Sequence, residues 1–273
     1  MFTAVLLTVN MYPLGSQLIA YFKQASHLSK CLNCWPLQLI KQMVIKMKMT
    51  LKQAKTLGVV TKGNSKVHGS TFSVNPRSCN VGGKLVNVKG STCSGCYALK
   101  LAKVYPSALE SWDNNLNLWL NALETDPMSW VESMVFQINK LSENKSKKGQ
   151  KGAGFHRWFA AGDLPNMDAL RAIVEVAKRT PHIKHWLPTR EKALVSRFLA
   201  TNLEGFPANL NVRLSAAMVD SAAVVIAGAT TSTVHNVEQA KGFACPAYEQ
   251  DGSCGDCTAC WSKSVSNISY KKH

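Results

Sequence analysis

Three short apolar segments begin at Phe155, Ile183 and Leu210, 28 and 27 residues apart, and this regular spacing constrains the fold more than any other feature of the chain. The first, "FHRWFAAGDL", reads as a strand ending at Gly162 and Asp163. "DALRAIVEVAKRT" follows with Leu170, Ile173, Val174 and Ala177 recurring at helical period on one face. "IKHWLPTR" reads as the next strand, "EKALVSRFLATN" as a helix closed near Gly205, and "LNVRLSAAMV" as a third strand, with "AAVVIAGA" as a candidate fourth. A strand, a helix and a return to the next strand take about 30 residues in a βαβ unit. Repetition of that unit predicts an α/β fold with parallel strands, either an open sheet or, as the favoured expectation, a partial β/α barrel.

In either architecture the chemistry gathers at the carboxyl ends of the strands. The polar residues at those ends are Gly162 and Asp163, then Thr189 and Arg190, then Ser215. Asp163, Arg190 and Ser215 are therefore the candidate catalytic residues, predicted to converge on one pocket. Two structural alternatives stand beside this reading. Asp163 has the side chain of a helix N-cap, and Arg190 adjoins Glu191 as a surface ion pair would.

Upstream, the pattern from Tyr97 to Leu123 is helical but interrupted at Pro106. Asp126-Pro127 carries the signature of a helix start, an acidic cap followed by proline at the first helical position. That helix should end in the Lys/Gly-rich loop after "MSWVESMVFQINKL". Residues 1–48 differ from the rest in being rich in Leu, Met and Lys, with no clean period. They are expected to be a disordered or misassigned extension, leaving residues 49–273 as a single α/β metal-binding domain. No window holds 18 clean apolar residues, so no membrane span is expected, and the start lacks a basic n-region.

The net charge of +16 suits a polyanionic partner, a nucleotide or nucleic acid. Part of it lies in solvated stretches: five lysines stand before residue 50 with no acid among them, and five more stand against Glu143 in "NKLSENKSKKGQK".

Nine cysteines fall into three groups, and without a secretory signal a disulfide framework is disfavoured over metal binding. Cys31 and Cys34 form an isolated C-x2-C. Cys245, Cys254, Cys257 and Cys260 have the spacing C-x8-C-x2-C-x2-C, enough thiolates to close a shell around zinc or to hold a [4Fe–4S] cluster. In the middle group thirteen residues separate Cys79 from the C-x2-C of Cys93 and Cys96. Three thiolates either need a fourth ligand for structural zinc, for which His68 is the nearest candidate, or leave one iron of a cubane open. An open iron can bind S-adenosylmethionine and deliver an electron to it. His156, His182, His185 and His235 read as packing or surface histidines rather than ligands.

The motifs "GGKLVNVKGSTCSGCYALK", "RWFAAGDL", "TPHIKHWLPTRE", "VRLSAAMVD" and "CPAYEQDGSCGDCTACW", in this order, resemble the phage gene product 88 family over about residues 70–273. The resemblance implies a protein of bacteriophages and related mobile elements, acting in the host cytoplasm, in which all seven cysteines from Cys79 onward belong to the pattern. The three-cysteine group and the Gly162-Asp163 strand end are also distantly similar to radical S-adenosylmethionine enzymes, where such a strand end receives the methionine amino group. The spacing departs from theirs, which is C-x3-C-x2-C with an aromatic before the last cysteine; here Gly95 stands before Cys96 and Tyr97 follows it. Two functional expectations follow: an iron–sulfur enzyme of that type acting on a nucleotide or nucleic acid, or a non-enzymatic protein stapled by zinc that binds nucleic acid.

Overall fold

In a computed structural model of the chain, residues 49–272 other than Ser65 are described. The expected extension, with Cys31 and Cys34, lies outside the described residues, as does His273. Seven strands, β1 (Ser70–Phe72), β2 (Phe155–Trp158), β3 (Lys184–Thr189), β4 (Leu210–Ser215), β5 (Thr230–His235), β6 (Phe243–Ala244) and β7 (Asn267–Lys271), form one sheet in the order β1-β2-β3-β4-β5-β7-β6. Every neighbouring pair is parallel. The 28-residue spacing is thus a βα repeat, and the sheet is not closed.

The helices are α1 (Leu51–Lys55), α2 (Asn80–Leu85), α3 (Tyr97–Val104), α4 (Pro106–Thr125), α5 (Pro127–Lys147), α6 (Met167–Arg179) and α7 (Lys192–Thr201). Both proline signals hold. Pro106 separates α3 from α4, and Asp126 caps α5 by accepting from the backbone N–H of Ser129. Leu170, Ile173, Val174 and Ala177 of α6 are all buried, as their period requires.

Alternation along the strands gives the sheet two unlike faces. One carries Trp158, Leu187, Val212 and Leu214 into the main core, with Trp119 of α4, Trp130 and Met134 of α5, and Leu170 and Ile173 of α6. Here Trp119 and Trp130 stack at 4.8 Å, and Phe72 of β1 meets both edge-on. The other face carries Phe155, Trp186, Ile268 and Tyr270 against Cys260 and Trp261, so a cysteine-rich loop, not a helix, covers it.

The apolar run "AAVVIAGA" is not a strand. Its Val224 and Val225 are exposed, and β5 is the Thr-rich stretch that follows. A central strand between β4 and β7 needs side chains that satisfy both neighbours, and Thr230 and Thr231 do so through Asn211, Val212, Ser266 and Asn267. Among the described residues no helix is long and apolar enough to cross a membrane.

Candidate functional site

The three-cysteine group is built onto the carboxyl edge of the sheet. After β1 the chain turns at Asn75, whose side chain accepts from the backbone N–H of Arg77 at 2.8 Å, and releases Cys79 at the edge. Helix α2 is then tied to neighbouring strand ends: Asn80 donates to the carbonyl of Pro165, and the Val81 N–H to Glu191 Oε1 at 3.0 Å. Thr92 fixes the second cysteine. Its N–H donates to the carbonyl of Ala217 and its hydroxyl to that of Ala216, just beyond β4. The Cys96 N–H closes a tight turn on the carbonyl of Cys93 at 3.1 Å, and α3 begins at the next residue.

Asp163 and Arg190 meet the cysteines there. The Asp163 carboxylate accepts from the Thr189 hydroxyl at 2.6 Å, from the Leu164 N–H at 2.8 Å and from the Arg190 N–H at 2.9 Å, lacing the end of β2 to the end of β3. The Arg190 guanidinium donates to Thr92 Oγ1 at 2.7 Å, beside Cys93. Neither structural alternative describes these residues. Asn166, not Asp163, caps α6, and Glu191 is bonded to α2 rather than to Arg190. Ser215 shares the edge, but its hydroxyl accepts from Ser232 at 3.2 Å on β5. Asp163 and Arg190 are therefore gathered with the cysteines; Thr189, read from the sequence as a strand-end residue, joins their network, as do Thr92 and Glu191, for which the sequence reading gave no such role.

Backbone shape is demanding at this edge. Gly162 sits at φ +86°, and a Cβ there would fall 2.3 Å from Val74 Cγ2 and 2.6 Å from the Val74 carbonyl, so only glycine fits. Phe159, three residues earlier, holds φ 58°, an unusual value for a bulky residue. At Gly82 a Cβ would stand 3.5 Å from Cys93 Sγ and 3.8 Å from Cys79 Sγ, so the missing side chain leaves both sulfurs facing a common space.

The electrostatics follow from burial. Burial pushes the Cys79 thiol up to about 12, and Asp163, Cys96 and Cys93 push the same way, with Arg190 opposing. Burial also raises Cys93, with Arg190 the chief opposing influence. The Asp163 carboxyl is lifted by burial to about 6, held back by its three donors. Thiols so placed ionise only with a cation beside them.

The four-cysteine group covers the second sheet face, toward the amino half of the strands. Cys245 N–H donates to the Ser269 carbonyl alongside β7. Cys254 N–H donates to the Lys66 carbonyl at 2.7 Å, and Trp261 Nε1 to the His156 carbonyl at 2.9 Å. Cys260 Sγ lies 3.3 Å from the Tyr270 hydroxyl. Beneath the loop, fully buried Arg213 donates to the carbonyls of Thr231, Ser262 and Val265. Arg157 lies over the Trp186 ring at 4.6 Å and favours the Cys254 thiolate. Neither arginine has a carboxylate partner among the ion pairs of the described residues. Two guanidiniums without acids, set against four thiols, suit a loop that carries negative charge at sulfur. Burial, with Cys245 and Cys254 adding to it, still pushes Cys260 up to about 12, against the Tyr270 hydroxyl and Arg213, which favour the thiolate.

His68 is not near the three-cysteine group. It packs against Phe155 and Trp261 at ring distances of 5.8 and 6.1 Å, beside the loop of the four-cysteine group, because it lies two residues before the amino end of β1. Nearness in sequence to Cys79 misled, since the whole of β1 lies between them. His156 and His185 are buried packing residues bonded to Ser70 and Thr180. All seven described cysteines are free thiols. Among the described residues no group of three or more His, Cys, Asp or Glu side chains is drawn into a formed metal shell. The thiols of both groups are donors that suit a metal, but their placement brings no three such side chains together as a site for an ion among the described residues.

A family described as Gene product 88 matches residues 43–263 of the chain. No curated protein and no solved structure matches it.

Proposed function

This chain belongs to the phage gene product 88 family, and on that premise we propose that it is an iron–sulfur enzyme working at the carboxyl edge of its sheet on a nucleotide or nucleic acid. The observation that carries the reading is the placement of Cys79, Cys93 and Cys96. They emerge from the end of the first strand and the loop behind it, onto the edge where parallel α/β proteins keep their chemistry, beside Asp163 and Arg190. A [4Fe–4S] cluster held by three thiolates would supply an electron and an open iron for S-adenosylmethionine. The chain's own contributions are distinct. Arg190 offsets thiolate charge next to Cys93. Asp163, with three donors on its carboxylate, positions Arg190 and the β2 end. Gly82 keeps a side chain out of the space beside the Cys79 and Cys93 sulfurs, and Gly162 lets the end of β2 pass close to Val74.

Cys245, Cys254, Cys257 and Cys260 would hold a second ion or cluster, zinc or iron–sulfur, as a closed structural site over the other face, its negative charge offset by Arg213 and Arg157. The host cytoplasm is a fitting compartment, since its reducing poise keeps thiols free.

The test is anaerobic purification of the full chain. A brown protein with about four irons and four sulfides at the edge site, binding S-adenosylmethionine and losing both properties in Cys96→Ser, supports the proposal. A colourless protein with zinc in both cysteine groups and no S-adenosylmethionine binding would support the rival, a zinc-stapled nucleic-acid-binding protein, which the extensive carbonyl clamp of Arg213 on the C-terminal loop favours.

A further inference from the structure

Helices α2 and α3, which flank the edge cysteines, present an unusual surface. The first acidic residue of the entire chain is Glu110, so the segment that carries the three cysteines has no carboxylate of its own, and the acids that meet it, Asp163 and Glu191, come from the strand ends. Lys84, Lys89, Lys100 and Lys103 are exposed there, and none enters an ion pair among the described residues. The opposite edge differs: Lys151 is paired with Asp256, and Lys178 with Glu204. Tyr97 and Tyr105, each 56% exposed, stand at the two ends of α3, the helix that carries Lys100 and Lys103. Lys100 Nζ comes within 4.0 Å of the Cβ position of Gly95, inside the C-x2-C turn, so this cationic surface reaches the turn that joins Cys93 to Cys96.

We infer that this surface binds a single-stranded nucleic acid, stacking bases on Tyr97 and Tyr105 and setting phosphates on the lysines. Exposed aromatics interleaved with cations are how unpaired strands are held, since every base offers a flat face and every nucleotide a charge. An acidic protein is the weaker fit, because lysine is depleted from the cores of protein interfaces. A duplex hides its bases from the tyrosines. The inference deepens the functional reading by naming the polymer that the edge site would act on, but the binding itself needs no metal.

The experiment uses the full chain and a fluorescent 20-nucleotide single strand, as DNA and as RNA, with the matching duplexes. Anisotropy is followed from low to high salt. Wild type should prefer the single strand. Tyr105→Ala, which lies off the cysteine loop, should weaken binding about tenfold, and Tyr97→Ala similarly. Lys100→Gln with Lys103→Gln should flatten the plot of log affinity against log salt by roughly 1.4, whereas Lys147→Gln with Lys148→Gln on α5 and its loop should leave affinity unchanged. Equal binding of duplex, or of polyglutamate, with no effect of either tyrosine would overturn the inference, as would equal loss from the α5 pair. Cys96→Ser separates the two proposals: retained single-strand binding without a chromophore in any form of the protein would sink the iron–sulfur reading and leave this one standing.

Discussion

The two cysteine groups share a chemistry and differ in almost everything around it. The group at Cys79, Cys93 and Cys96 sits on the rim of the sheet, tied down through backbone groups and through Thr92, Asn80 and Glu191. The group at Cys245 to Cys260 is itself the covering layer of one face, packed on Trp186, Trp261 and Ile268 and clamped by Arg213. A rim loop can be altered without exposing a core. A covering loop cannot, because the apolar face beneath it has no other lid among the described residues. The same residue type thus does different work according to what lies under it.

The largest effect should break this comparison or establish it. Cys257→Ser should cost roughly 4 kcal/mol or more and most of the soluble yield, since loss of a metal in a covering loop is loss of folding energy. Cys96→Ser should leave the melting temperature within a few degrees while abolishing whatever the rim site binds. Calorimetry and metal analysis of both variants decide it; equal losses would make both groups structural.

Arg213→Leu comes next. It removes the donor from three carbonyls of buried backbone, and we expect about 4 kcal/mol of destabilisation in denaturant titrations, with weaker metal retention by the C-terminal loop only. Asp163→Asn should cost about 2 kcal/mol, because an amide cannot accept from all three donors as the carboxylate does, and should impair the rim site rather than the loop.

The smallest effect supplies a control that belongs to neither group. Burial depresses His185 to about 3 and His156 well below its ordinary value. The unfolded chain therefore takes up protons that the folded chain refuses, and stability present above pH 6.5 is lost as pH falls toward 3, by about 1.4 kcal/mol per unit for each histidine. Asp163 opposes this. Its folded value of about 6 lies above 3.8, so the folded state gains stability as pH falls through that window. His185→Gln should flatten the acid loss measured by urea midpoints between pH 7 and 5, and chelation should leave the difference between variant and wild type unchanged.

Much of this was readable from the chain. The strand starts at Phe155, near Ile183 and at Leu210 emerged because each βα unit is local: a buried strand, a capped amphipathic helix and a short return. The convergence of Asp163 and Arg190 followed from parallel pairing alone. What escaped depended on distant partners. A three-residue strand such as β1 has no period to detect, and β5 is strand only because β4 and β7 satisfy its threonines. His68 looked close to Cys79 by number, yet a strand carries the chain from one edge of the sheet to the other between them. Ser215 stands on the same edge and accepts from Ser232, a neighbour that no local pattern announces.

The strand order β5-β7-β6 has a consequence for how the molecule is made. Among the described residues strand β6 pairs only with β7, which lies later in the chain and slots in between β5 and β6. On a ribosome, Phe243 and Ala244 emerge with no template to join, and the cysteines from Cys245 to Cys260 follow them out tethered at one end. Closing that stretch carries an entropic cost that only the arrival of Asn267–Lys271 offsets. Completion of the sheet and settling of the loop that carries those four thiols are therefore one late event, and until it happens the face bearing Phe155 and Trp186 lacks that cover. A nascent chain stalled before β7 should be the form that chaperones hold and proteases cut.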